Sequence, residues 1–193
     1  MIIIGGYTVI ADVGNTLVKL LRDQMTPEPI PKAEMIGLCS PADKGDFRLT
    51  LFLYCLEEIG EYSYPEMRSV GPGIWQYPPL SLNLYYMMTA YSTADLHSRS
   101  LDEHRILGRA VQVFYDHGIL RDSTLQGTLF EASEEIKIVR NNLSVEQITE
   151  IWNRFTDVPF KLSVSYKVGP VDLDSTRFKK TKRVMEVEVN IDG

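Results

Sequence analysis

The chain of 193 residues carries 26 acidic against 20 basic side chains, a formal net charge of −6. That length supports one domain with its own core, without disulfides or metal. The acidic balance argues against a nucleic-acid binder, which needs a net basic face to release counterions from phosphate, and no apolar run reaches the ~18 residues of a membrane-spanning helix.

Over residues 8–24, Ile10, Val13, Leu17, Leu20 and Leu21 recur at helical spacing, with Asp12, Asn15, Lys19 and Arg22 on other faces. The spacing predicts an amphipathic first helix. Gly14 inside it costs about 1 kcal/mol against alanine, which implies close packing on a neighbouring element. The prolines at 27, 29 and 31 then break regular structure. Residues 33–38 read as a short edge strand and 41–46 as a turn. Residues 47–56 alternate Phe47, Leu49, Leu51, Leu53 and Cys55 against Arg48, Thr50, Phe52, Tyr54 and Leu56, which predicts a long strand apolar on both faces at its far end. Cys55 reads as a small core residue there.

Residues 60–78 hold Tyr62, Tyr64, Trp75 and Tyr77 among glycines and prolines and read as a long irregular loop, with a turn at Gly71-Pro72-Gly73. A loop of this length inside a domain is usually functional or mobile. Its rings either fold back over a sheet edge or anchor an intersubunit contact. Residues 80–91 follow as the organising strand. Leu80, Leu82, Leu84, Tyr86, Met88 and Ala90 line one face, while the other runs from polar Ser81 and Asn83 to apolar Met87 and Tyr91. Such a strand runs into the middle of a sheet, or under a helix, along its length.

Ser100 and Glu103 are spaced as a capping box for a helix with the apolar stripe Ile106, Leu107, Ala110, Val111, Val113 and Phe114, stopped at His117-Gly118 with the glycine suited to a left-handed cap. Ile136 and Ile138 alternate with Glu135 and Lys137 as a short strand. Ser144 and Gln147 form a second capping box, with Leu143 and Ile148 as its hydrophobic staple, for a helix presenting Ile148, Ile151, Trp152 and Phe155 before Pro159. Residues 162–168 read as a one-sided strand ended by Gly169-Pro170. A basic connector at 177–183 leads to a last strand at 184–191.

Strands interleaved with helices make this an α/β chain of the α+β type, one domain over 1–193. Its sheet is expected to be mostly antiparallel or mixed, of about four to six strands flanked by helices. Cys39 and Cys55 make no disulfide framework and suit a reducing compartment. Met1-Ile2-Ile3-Ile4 is too short and lacks the basic start of a signal peptide, so folding in the cytoplasm is expected.

Catalytic chemistry is not visible. His97, His104 and His117 fit no metal-ligand spacing, and G-x-S-x-G, P-loop and G-x-G-x-x-G patterns are absent. No catalytic, cofactor or metal residue is nominated, and an enzyme is not expected. The candidate partner-interface residues are Tyr62, Tyr64, Trp75 and Tyr77 in the loop, the basic cluster Arg177, Lys179, Lys180, Lys182 and Arg183, and Glu186 and Glu188 on the last strand. That cluster either steers docking onto an acidic partner or is a solvated connector.

The segment from Pro78 to Tyr91, followed by Glu103-His104-Arg105-Ile106-Leu107-Gly108, resembles the tail-terminator or cap family of extracellular contractile injection systems, the phage-tail-like particles of the antifeeding-prophage and Photorhabdus virulence cassette type. Supporting matches are residues 10–17, Leu51-Phe52-Leu53-Tyr54 and residues 160–166. The resemblance implies a fold like that of contractile-phage tail terminators and a structural particle component: a hexameric ring of the chain itself that caps the inner tube, contacts the sheath protein and leaves the cell with an extracellular particle. Neither nucleic acid nor membrane is expected as a partner. Sheet edges are natural docking devices, and residues 184–191 are the expected edge, with Glu186 and Glu188 discouraging unwanted pairing in the free subunit.

Overall fold

The computed structural model describes residues 6–60, 67–132 and 135–181. Helix α1 (Val9–Met25) precedes β1 (Ile36–Leu38), β2 (Leu49–Glu58), the hairpin β3 (Arg68–Gly71) and β4 (Ile74–Gln76), and β5 (Leu80–Ala90). Helix α2 (Arg99–Asp116), β6 (Ile119–Leu120), α3 (Thr128–Ala132), β7 (Ile136–Asn141), α4 (Val145–Trp152), β8 (Ser163–Leu173) and β9 (Phe178–Lys180) complete it. A six-stranded sheet runs β1-β2-β5-β8-β7-β6, and a three-stranded sheet runs β3-β4-β9. Only the β1–β2 pair of the large sheet is parallel. The expected mixed sheet with flanking helices is therefore present, and β5 lies within it as its pattern predicts.

The even-numbered side chains of β5 pack beneath α1 and α2. Leu84, Tyr86 and Met88 are fully buried there, as are Leu17 and Leu21 of α1 and Ile106 and Phe114 of α2. Phe114 meets the ring of Tyr166 edge-on at 4.9 Å. Gly14 is explained by this packing: a Cβ on it would stand 2.7 Å from Leu38 Cδ1. On the opposite face Met87 of β5 and Trp152 of α4 are buried. Phe155 stacks edge-on against both Phe52 and Trp152. The capping box of α4 is formed as expected, Ser144 Oγ accepting from Gln147 N–H and the Gln147 side chain accepting from Ser144 N–H.

Several expectations are corrected. Strand β2 is buried at its start and exposed over Cys55–Glu58, the reverse of the predicted order, and Cys55 is a surface residue. The cause is the antiparallel register: Leu49 lies opposite Ala90, so the end of the sheet that β5 enters is the end that β2 leaves. Helix α2 starts at Arg99, so Ser100 does not cap it, and Ser98 at the cap position makes no side-chain capping hydrogen bond. Glu103 instead accepts from Lys161 Nζ at 2.7 Å and from Ser92 N–H. A tertiary ion pair has displaced the local box. Gly118 is not left-handed; His117 caps the helix by donating its N–H to Val113 O.

Strand β8 does not stop at Gly169-Pro170 but continues to Leu173. Gly169 lies opposite the irregularity between Leu82 and Leu84, where a Cβ would approach Leu82 O to 2.8 Å, so glycine lets the strands pass closely and proline removes a donor that the disturbed ladder does not use. Nor is β8 one-sided. Ser163 and Ser165 are buried because cross-strand hydroxyls satisfy them, Thr89 with Ser163 and Tyr54 with Ser165, both at 2.8 Å. Of the stretch expected as an irregular loop, residues 67–78 contain β3 and β4, residues 61–66 lie outside the described residues, and the expected basic connector contains β9. The strand expected at 184–191 lies outside the described residues.

Candidate protein-docking site

The small sheet brings together two stretches that the sequence presents as a loop and a connector. Trp75 lies opposite Lys179 and Gln76 opposite Phe178. Tyr77 N–H donates to Arg177 O, and Thr181 N–H donates to Gly73 O, extending the ladder at both ends. Because side chains alternate along a strand, Trp75 and Tyr77 share a face with Arg177, Lys179 and Thr181. Met67 joins them beside a shallow cavity lined by Met67, Trp75, Lys179 and Thr181. The Arg177 guanidinium stacks over the Tyr77 ring, 4.1 Å from its centroid. Trp75 remains 39% exposed.

Gly73 makes the pairing feasible. Its φ of +70° is a left-handed value, and a Cβ would stand 2.7 Å from Thr181 O. The turn expected at Gly71-Pro72-Gly73 is thus present, and it sets the approach of β9 as well as the hairpin.

Of the nominated residues, Trp75, Tyr77, Arg177 and Lys179 converge on this face, while Lys180 faces the other way, opposite Ile74. Tyr62, Tyr64, Lys182, Arg183, Glu186 and Glu188 lie outside the described residues. Met67 and Phe178 were not nominated; the period-two alternation through Arg177-Phe178-Lys179 was the available signal.

The other face of the small sheet meets the end of the large one around a cavity of about 600 Å³, lined by Tyr7, Pro78, Leu80, Leu173 and Phe178 among others. Asp174 lines it too, and burial pushes its carboxyl above the usual carboxylate range. Its polar neighbours hold the chain in place: Ser175 Oγ accepts from Arg177 N–H, and Gln76 Nε2 donates to Ser175 O at 2.7 Å. On the open end of the large sheet Tyr85 donates to Glu57, and that carboxylate acceptor pushes the phenol up to about 12. Among the described residues no group of three His, Cys, Asp or Glu side chains is placed to hold a metal ion, and no helix is long and apolar enough to cross a membrane. His97 and His104 are exposed on separate turns. The outer strands of the large sheet are short, three residues in β1 and two in β6, which limits pairing along those edges.

The model of the Pvc16 N-terminal domain family matches residues 12–186. The chain belongs to the Pvc16 N-terminal domain family. No curated protein sequence matches it. Among solved structures, this Pvc16 N-terminal domain is similar to the sheath/tube terminator of an extracellular contractile injection system, PVC, in the extended state. The TM-score is 0.63 at 15% identity, over 95% of this chain and 63% of that one. It is also similar to the tube-terminating cap of the anti-feeding prophage, with a TM-score of 0.60 at 16% identity, over 94% of this chain and 61% of that one. The chain spans less than two thirds of the length of either protein. The match bears out the expected terminator-like α+β fold.

Proposed function

We propose that this chain terminates the tube of a contractile injection particle. Copies of it form a closed hexameric ring, with one ring face complementary to the last tube layer and another against the last sheath layer. A heterologous interface that closes on itself yields a ring, and a ring whose outer face does not repeat the tube surface stops further addition. The protein acts by shape and contact, without catalysis. It assembles in the cytoplasm and ends in an extracellular particle.

The observation that carries this reading is the shared fold over nearly the whole chain with two proteins described as terminators or caps, together with the family match. The short outer strands of the large sheet fit a subunit that does not polymerise through its edges. The test is electron microscopy of particles produced with and without this protein. Tubes of uniform length in its presence and of scattered length in its absence are expected; uniform tubes in both preparations overturn the proposal. An inner-tube or sheath subunit would instead polymerise into open stacks when purified.

A further inference from the structure

We infer that the face of the small sheet carrying Trp75, Tyr77, Arg177 and Lys179 docks a carboxylate-bearing polypeptide segment of another protein of the particle. The inference rests on the terminator reading and supplies a contact surface for it. Residues 67–78 and 175–181 contain Arg68, Arg177, Lys179 and Lys180 and no aspartate or glutamate. The whole chain is at −6, so the remainder is more acidic still. A local basic surface on an acidic protein selects its partner by charge complementarity.

The arrangement on that face also suits a polypeptide. Trp75 and Tyr77 offer flat, partly exposed rings, the anchors that dominate protein interfaces. The Arg177 guanidinium sits over the Tyr77 ring, 4.1 Å from its centroid, and a guanidinium carries the fork of N–H donors that matches a carboxylate. Lys179, opposite Trp75, adds a second cation on the same face, two residue pairs along the ladder. The shallow cavity of about 560 Å³ beside Met67, Trp75, Lys179 and Thr181 accepts an apolar side chain next to the acidic one. Phosphate-rich partners fit poorly, because two cations on one face of an acidic chain give little counterion release.

The strand alternation supplies an internal control, since Lys179 and Lys180 are neighbours with the same charge on opposite faces. Particles assembled without the protein are incubated with purified wild type, Lys179→Glu, Arg177→Glu and Lys180→Glu, and bound protein is measured by co-sedimentation at low and high salt. The three variants are checked against wild type for unchanged circular dichroism and melting. Lys179→Glu and Arg177→Glu are expected to weaken binding at least about tenfold at low salt, with the wild-type advantage shrinking as salt rises, while Lys180→Glu binds like wild type. Equal binding of Lys179→Glu and wild type, or equal loss with Lys180→Glu, overturns the inference alone. Failure of wild type to bind particles overturns the terminator reading and takes the inference with it. A photo-crosslinker at position 75 should capture a glutamate- or aspartate-containing segment of a tube or sheath protein; capture of a second copy of this chain, of nucleic acid or of lipid overturns the assignment.

Discussion

The two sheets of this protein are held by different means. In the large sheet, β5 is covered on both faces at its inner end, and Leu84, Tyr86, Met87 and Met88 are all essentially inaccessible. In the small sheet every residue of β9 is exposed and Trp75 is 39% exposed. Burial at roughly 25 cal/mol per Å² therefore stabilises the first far more than the second, which relies on ladder hydrogen bonds, a glycine turn and a cation stacked on a ring. Stability concentrated in one sheet leaves the other free to carry surface chemistry, since residues that do not hold the core can be selected for contact.

The comparison is sharpest with matched substitutions. Phe114→Ala removes a ring that is 1% exposed and packed against Tyr166, and should lower unfolding free energy by about 3–5 kcal/mol. Trp75→Ala should cost well under half of that by denaturant titration. Similar losses from both would mean the small sheet belongs to the core.

Next in size is a pair of glycine replacements. Gly169→Ala places a Cβ 2.8 Å from Leu82 O in the large sheet, and Gly73→Ala places one 2.7 Å from Thr181 O in the small one. Each stores about 1–3 kcal/mol of backbone strain. The expected outcomes differ in reach. Gly169→Ala lowers the global melting temperature, whereas Gly73→Ala removes amide-exchange protection at Tyr77 and Thr181 and leaves the melting temperature nearly unchanged. A global effect from Gly73→Ala would contradict the separation.

The smallest effect lies at the open end of the large sheet. Tyr85 has its phenol pushed up to about 12 by hydrogen bonding to Glu57, against about 10 in an unfolded chain. A raised folded value means the contribution is complete below pH 10 and is lost as pH rises through 12. Burial also pushes up the phenols of Tyr86, Tyr91 and Tyr166, so ultraviolet titration should show several late-ionising tyrosines, of which one moves toward 10 in Glu57→Gln. An unmoved titration would show that burial, not the carboxylate, sets the shift.

How much of this was legible in the sequence follows the same division. Strand β5, the apolar stripe of α2 and the capping box at Ser144 read correctly because their signals are local and repeated. The box at Ser100 failed because Lys161, 58 positions downstream of Glu103, offered a better partner than the backbone. Cys55 was misplaced because alternation reports which residues share a face and not which end of the strand is covered; that is fixed by the register with β5. The docking face was half legible. Trp75, Tyr77, Arg177 and Lys179 stood out individually, but their convergence depends on β4 pairing with β9 about a hundred residues later, and nothing local encodes that pairing. The elements α3 and β6 were missed for lack of length. The start of α3 is held instead by Asp12, whose carboxylate accepts from Thr128 N–H at 3.1 Å and Thr128 Oγ1 at 2.7 Å, and β6 by its pairing with β7.

The terminator account stands most directly on where the molecule sits. Gold labelling of a tagged copy on intact particles, imaged by electron microscopy, should place label at one end of each tube and nowhere along its length. Label distributed along the sheath or tube, or absent from particles, would contradict it.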